Sequence, residues 1–251
     1  MQKLLSKMRQ AINDFNLIEN GDKIAIGLSG GKDSLALLYL LSKYQKFAPE
    51  KFELIAITLN PGSVDNSPLY ELCKNLNIEF KEIQSDIKNI VFNIRKEKNP
   101  CALCAKLRRG ILQTTAFDLG CNKLALGHHK DDAIETLMLA LCYEGRINCF
   151  SPKSKMEKSN ITLIRPMVYI EERAIINFSK KYDFPIIENP CPADKNTKRE
   201  EVKQLISKLN RTIPDFKKNL FGALNNSDQL FIWDKNAIKN QGSIVYKRDI
   251  L

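Results

Sequence analysis

Short apolar runs alternate along the chain with longer stretches of helical period. Over residues 3–18 apolar side chains recur three and four apart, which predicts an amphipathic helix ended by Asn20-Gly21. Aliphatic runs predict strands over 24–28, 53–59, 79–84 and 123–127. Helical patterns follow them at about 33–45, 67–76, 86–97 and 131–144, with a further helix at about 102–119. Beyond residue 150 the pattern loosens. Ser151 to Asn160 reads as a polar loop, 163–168 as a strand, 171–182 as a helix and 198–210 as a basic helix. Strands alternating with helices predict an α/β fold, a parallel sheet with helices on both faces. The expected layout is an N-terminal amphipathic helix (1–20), a main domain (21–190) and a small helical C-terminal extension (191–251).

The first strand, Ile24-Ala25-Ile26-Gly27-Leu28, leads into Ser29-Gly30-Gly31-Lys32-Asp33-Ser34 and then a leucine-rich helix. Backbone N–H groups at a helix start are unpaired and carry partial positive charge, so the turn suits a phosphate. Its glycines let the backbone approach an anion closely, and Lys32 adds a full charge. The spacing is not that of a Walker A loop. Gly27 stands one residue too near Gly-Lys, and Asp33 occupies the place of the magnesium-binding hydroxyl. Ser29 to Ser34 instead resembles the PP-loop of the ATP pyrophosphatases. That resemblance implies an adenine nucleotide alpha hydrolase-like fold, cleavage of ATP between its α and β phosphates, and adenylation of a substrate oxygen. Lys32 and the loop amides would hold phosphate, and Asp33 would approach Mg2+.

A second strand-to-helix turn, Gly127-His128-His129-Lys130-Asp131-Asp132, follows the strand at 123–127. Ligands of open α/β sheets bind at the carboxyl ends of the strands, so the two turns should meet at one sheet edge. Gly127, His128 and Asp132 are therefore expected at the nucleotide, with His128 near a phosphate. Asp131 and Asp132 either cap the helix or help to hold magnesium. Glu135 is expected to support the helix rather than react.

The formal charge of +10 favours a polyanionic partner such as nucleic acid, although a lysine-rich surface produces the same balance. No apolar run reaches the ~18 residues that span a bilayer, and Met1 to Met8 reads as a basic amphipathic helix, so a cytoplasmic protein is expected. In that reducing setting seven cysteines are not a disulfide framework. Cys73, Cys121, Cys142 and Cys149 stand singly and read as ordinary core or half-buried thiols. Cys101 and Cys104 form a Cys-x-x-Cys after a charged run, and Cys191 stands between Pro190 and Pro192. Three such loop thiols can hold a metal centre with one position open. Zinc and an iron–sulfur cluster are rivals for them.

The resemblance narrows once these segments are taken together. Ala11 to Phe15, Gly21-Asp22, the PP-loop, Cys101-Ala102-Leu103-Cys104-Ala105-Lys106-Leu107-Arg108-Arg109-Gly110-Ile111-Leu112, Leu126 to Asp132, Ile164-Arg165-Pro166 and Phe184-Pro185-Ile186-Ile187 are similar to the tRNA 2-thiocytidine synthetases, from about residue 3 to 230. Membership implies an ATP- and Mg2+-dependent sulfurtransferase that replaces the C2 oxygen of a tRNA cytidine by sulfur. It also implies a [4Fe-4S] cluster on Cys101, Cys104 and Cys191, with Lys32, Asp33 and the three cysteines at the reaction. Implied partners are tRNA and a sulfur donor, either hydrosulfide or a cysteine desulfurase persulfide. A homodimer through the apolar face of the N-terminal helix is a further expectation. Lys106, Arg108 and Arg109, beside the expected cluster, would meet tRNA phosphates, and the basic run Lys198, Arg199, Lys203, Lys208 and Arg211 is either a second tRNA contact or a solvated helix face. The chain departs from the family pattern by having no fourth cysteine in Pro192 to Lys195, and differs at Asn60-Pro61-Gly62, near the expected adenine. Rival readings are a tRNA thiouridine synthetase, a lysidine synthetase-like ligase, and a non-enzymatic ATP sensor with structural zinc.

Overall fold

A computed structural model describes residues 1–62, 64–95, 100–156, 159–187 and 197–226. Strands β1 (Lys23–Gly27), β2 (Glu53–Asn60), β3 (Glu79–Gln84), β4 (Lys123–Ala125), β5 (Lys153–Met156) and β6 (Ile161–Ile164) form one sheet in the order β3-β2-β1-β4-β6-β5. The first four pairings are parallel, whereas β5 runs antiparallel to β6 at the edge. The expected parallel sheet is therefore present, with one antiparallel strand added at its edge. Residues 151–160, expected to be a loop, hold β5. Its sequence Lys-Ser-Lys-Met reads as loop because an edge strand is charged and little buried, which also blunts the edge against aggregation.

The helices are α1 (Gln2–Asp14), α2 (Lys32–Tyr44), α3 (Ser67–Asn75), α4 (Ile87–Asn89), α5 (Pro100–Asp118), α6 (Lys130–Leu139), α7 (Glu172–Lys181), α8 (Lys198–Thr212) and α9 (Phe216–Asn225). The helix expected over 86–97 is only one short turn, α4, continued by a π-helical turn at Ile90–Ile94. A second π-turn, Ala140–Glu144, extends α6 and stops at Gly145 in the left-handed conformation. The strand expected at 163–168 sits earlier, at Ile161–Ile164, and α9 was not anticipated.

One face of the sheet is covered by α1, α2 and α7. Leu4, Met8 and Ile12 of α1 pack in the same core as Leu35, Leu38 and Leu41 of α2 and Ile175 and Phe178 of α7. The apolar face of α1 is therefore spent inside its own chain, which corrects the expectation that it serves a dimer contact. On the opposite face Leu112 and Ala116 of α5 pack over Ala25, Ile55, Ile57 and Leu124. The C-terminal helices add a smaller core, with Val202 and Ile206 of α8 against Ile134 and Met138 of α6. Each fully buried Leu, Ile, Val, Met or Phe among them stabilises the docking by ~1.5–3 kcal/mol. No helix among the described residues is long and apolar enough to cross a membrane.

Strand order places the site. From β1 the chain moves to β2 and β3 on one side, then returns to β4 on the other. The crevice between the carboxyl ends of β1 and β4 is the switch point where an α/β sheet opens to a ligand.

Candidate active site

Both turns singled out in the sequence end at that crevice. In the first, Gly30 has φ +80°, a left-handed conformation open to glycine. Its carbonyl accepts from the Ile187 N–H at 3.0 Å, and a Cβ on Gly30 would stand 3.0 Å from that of Ile187. The Ser34 hydroxyl donates to the Gly31 carbonyl (2.9 Å) and accepts from the Ser29 N–H (3.1 Å), so the loop is closed from within. Gly31 precedes α2 in extended conformation with no side-chain cap. The N–H groups of the first turn of α2 have no partner inside the helix and remain available to an anion.

The second turn presses on the first. A Cβ on Gly127 would lie 3.0 Å from the Asp33 carbonyl carbon and 3.1 Å from the Asp33 oxygen and the Ser34 nitrogen. Then α6 starts on an unusual cap. His129, only 3 % exposed, accepts the Asp132 N–H through its ring, and the Asp132 carboxylate accepts the His129 N–H at 2.9 Å. Its Nε2 lies between two carboxylates, 3.6 Å from Asp33 and 3.5 Å from Asp132. Asp132 therefore faces the site, while Asp131 turns away to accept from the Glu172 N–H and Lys217 Nζ, both at 2.7 Å. Of the two aspartates, only Asp132 fits both roles foreseen for the pair.

Around this crevice is a cavity of about 370 Å³, whose lining includes Ser29, Asp33, Ser34, Gly127, His128 and Asp132. Thr58 of β2 and Pro61, Val64 and Asn66 beyond it close one side, and Arg108, Ile187 and Arg199 close it from outside the sheet. Three lining residues hold buried polar atoms without a hydrogen-bond partner: Asp33 Oδ1, Asn66 Nδ2 and His128 Nδ1. Such orphans are costly in a finished core and mark where a ligand completes the bonding. Burial pushes the His128 imidazole down to about 4, so it is neutral at physiological pH. His128 can donate or accept there but brings no cationic charge to a phosphate. Its ring packs on Phe150, which in turn lies under the Arg165 guanidinium.

Sequence reasoning missed most of the charge network. Lys32 reaches Asp33 Oδ2 (3.0 Å) and Glu172 Oε1 (3.1 Å). Burial works against its ammonium, but these two carboxylates outweigh that and raise its pKa above the ordinary lysine value. Glu172 also holds Lys203 at 2.9 Å, and Arg199 bonds Asp132 Oδ1 at 3.1 Å. Arg199 and Lys203, expected to meet tRNA or solvent, thus point at the nucleotide end of the sheet. Their spacing of four along α8 put them on one face, a signal legible only with the acidic partners known. Exposed pairs of this kind are worth ~0–1 kcal/mol, so apolar packing, not charge, docks α8.

Among the candidate cluster ligands, Cys101 and Cys104 both lie in the first turns of α5. Cys104 is a free, half-buried thiol. Cys191 lies outside the described residues. Among the described residues, no group of three or more His, Cys, Asp and Glu side chains is arranged to hold a metal ion. Of the thiols taken as ordinary, Cys73 and Cys121 are buried and Cys149 half-buried, but Cys142 is exposed. Arg108 lines the cavity, whereas Lys106 and Arg109 of the same helix are exposed.

Residues 1–209 match the PP-loop domain family. The chain is 40 % identical over 250 residues to the tRNA-cytidine(32) 2-sulfurtransferase of Syntrophotalea carbinolica, covering 96 % of this chain and 95 % of that one. The chain belongs to the tRNA 2-thiocytidine synthetase family of PP-loop proteins. A tRNA-cytidine(32) 2-sulfurtransferase of Vibrio cholerae is 41 % identical over 246 residues, 94 % of this chain and 79 % of the relative. Among solved structures, the U34-tRNA thiolase NcsA from Methanococcus maripaludis with its [4Fe-4S] cluster superposes with a TM-score of 0.73 at 25 % identity, over 98 % of this chain and 90 % of that one. Family membership displaces the lysidine-ligase and ATP-sensor readings.

Two outcomes test this geometry. Gly127→Ala forces a methyl group against the backbone of Asp33 and Ser34, so it should lower both thermal stability and ATP affinity; an unchanged ATP Kd would mean that the two turns need not touch. Burial pushes the Glu135 carboxyl up to about 7 despite Arg199 nearby. Its folded pKa exceeds the unfolded one, so its contribution to stability is fully present below about 4.5 and is lost as pH rises through about 7. Denaturant titrations should show Glu135→Gln gaining stability relative to wild type between pH 5 and pH 8, each near those two limits; a pH-independent difference would contradict the assigned burial.

Proposed function

We propose that this chain is an ATP-dependent tRNA-cytidine 2-sulfurtransferase that works on cytidine 32, by adenylating the C2 oxygen and replacing it with sulfur. The observation that carries the proposal is identity of 40 % along nearly the whole length of a relative with that activity. The unpaired atoms of the PP-loop cavity fit it, since an ATP-using enzyme needs unsatisfied groups where the nucleotide will sit.

The residues present suit the groups the reaction requires. Asp33 Oδ1 is a buried carboxylate oxygen with no hydrogen-bond donor, at the start of the helix that follows the PP-loop, which fits Mg2+. When bound, that ion would neutralise charge on the triphosphate. Cys101 and Cys104 stand one helical turn apart in α5 and offer thiolate chemistry suited to a [4Fe-4S] cluster. The third thiolate we assign is Cys191, which lies in sequence between Ile187, bonded to the PP-loop, and α8, whose Arg199 touches Asp132. A cluster held by Cys101, Cys104 and Cys191 would supply the iron chemistry that delivers sulfide-level sulfur to the activated base.

Within this reading the chain's own groups position the reaction. The α2 amides and Lys32 bind the β- and γ-phosphates, while Asn66 Nδ2 donates to the adenine, which sits against Thr58, Pro61 and Val64. The C2 oxygen forms a bond to the α-phosphorus and pyrophosphate leaves. Sulfur then bonds to C2, and AMP departs with the former C2 oxygen. A base must leave its stack to reach this crevice, so Lys106, Arg108 and Arg109 are assigned to the tRNA backbone beside it. The sulfur donor is assigned as hydrosulfide, or as a desulfurase persulfide together with a thiol reductant that supplies the two electrons needed to cleave its S–S bond, and the setting as cytoplasm. Likeness to a U34-tRNA thiolase favours uridine thiolation as the second reading.

Mass spectrometry of tRNA nucleosides from a deletion strain decides between them. Loss of 2-thiocytidine, restored by the wild-type chain but not by Cys104→Ala or Cys191→Ala, is expected. Loss of a thiouridine instead, or full rescue by Cys191→Ala, would overturn the substrate or the ligand assignment. Protein purified without oxygen should be brown with about four irons per chain, as a [4Fe-4S] cluster requires; zinc in its place would refute the cluster.

A further inference from the structure

Lys32 and the loop amides are the phosphate ligands that the PP-loop itself provides. Yet Lys32 is turned to Asp33 and Glu172, and the cavity wall holds two carboxylates, Asp33 and Asp132, at the phosphate end. His128 is neutral there. A triphosphate entering this end needs more positive charge than Lys32 brings. Among the described lining residues the cations are Arg108, on α5, and Arg199, on α8.

Arg199 stands at the phosphate end. Its guanidinium bonds Asp132 Oδ1 at 3.1 Å, the other Asp132 oxygen lies 3.5 Å from His129 Nε2, and that nitrogen lies 3.6 Å from Asp33 Oδ1. Three contacts thus lead from Arg199 to the residue that follows the PP-loop lysine. The guanidinium also bonds Thr136 Oγ1 at 3.2 Å and lies 3.8 Å from Glu135. It is half-exposed toward the cavity, and α8 is held down by Val202 and Ile206 rather than by this pair. Arg199 can therefore exchange Asp132 for a phosphate without undocking its helix. Its planar fork of donors suits two phosphate oxygens at once.

We propose that Arg199, from the C-terminal extension, is a binding residue for the β- and γ-phosphates of ATP, so that the extension completes the nucleotide site. Asp132, relieved of its arginine, is then free to face the magnesium that accompanies the nucleotide. The proposal rests on the nucleotide-site reading but not on the identity of the thiolated base.

The test compares ATP with AMP, which lacks both phosphates, by calorimetry on the full chain with Mg2+ and without tRNA. Arg199→Gln keeps length and hydrogen-bonding capacity but removes the charge. It should weaken ATP by on the order of tenfold or more and leave AMP within about twofold, as expected for loss of a charge-assisted contact. Arg199→Lys should recover part of the ATP affinity, and it serves alone if Arg199→Gln does not fold, with ATP weakened and AMP unchanged. Equal losses for ATP and AMP would show that the substitution disturbs the cavity as a whole, and no loss for either that Arg199 does not touch the phosphates; both overturn the proposal. Wild-type protein that binds no ATP would instead refute the nucleotide site itself.

Discussion

The site depends on one close approach: the backbone at Gly127 lies against the backbone of Asp33 and Ser34. β1 and β4 are hydrogen-bonded neighbours, and the turns leaving them must share the space beyond their carboxyl ends. With any side chain at 127, the second turn would be pushed off the first. Glycine lets the two helix starts, α2 and α6, converge on a single crevice. From that contact follow the positions of Asp132 and His129 beside Asp33, and the depth of the cavity. Elsewhere the same economy recurs at Gly30, where the space of a Cβ is taken by Ile187.

Charge is distributed around this contact in a way that favours exchange over permanence. Lys32, Lys203 and Arg199 each pair with a carboxylate at the crevice, and each pair is partly solvated. Such pairs add little to stability, so an entering nucleotide can replace them at small cost. What holds the architecture is apolar: the leucines of α2 with α1 and α7 on one face, α5 on the other, and the contact of α6 with α8. Asp131 is the exception among the acidic groups. Backbone and lysine bonds hold its carboxyl below the usual range despite burial, and it ties α6 to α7 and α9. Packing stabilises the frame while electrostatics at the mouth stays adjustable.

Much of this was legible in the amino-acid sequence because it is local. The Ser29–Ser34 turn, the His128–Asp132 turn and the strands that carry them are set by residues within a few positions of one another. What escaped was long-range or weakly patterned. Lys153 to Met156 has Met156 as its single apolar side chain and becomes a strand because β6 offers its edge. Helix α9 packs through Phe216, Leu220 and Phe221 on a surface built by α6 and α8, which its own pattern does not announce. The inward aim of Arg199 and Lys203 follows from where α8 docks, not from its basic composition. Conversely, His128 was legible as a site residue but not as a neutral one, because its burial against Phe150 depends on a distant segment.

These features make one chemical claim: the crevice activates an oxygen by adenylation, not by phosphoryl transfer. The claim is tested by following oxygen. A tRNA substrate labelled with 18O at C2 of the target cytidine is thiolated by the holoenzyme with ATP and a sulfide source, and AMP is collected. Adenylation predicts one 18O in the AMP phosphate for each thiocytidine formed, with pyrophosphate as co-product. Label recovered in inorganic phosphate with ADP, or in water, would contradict it.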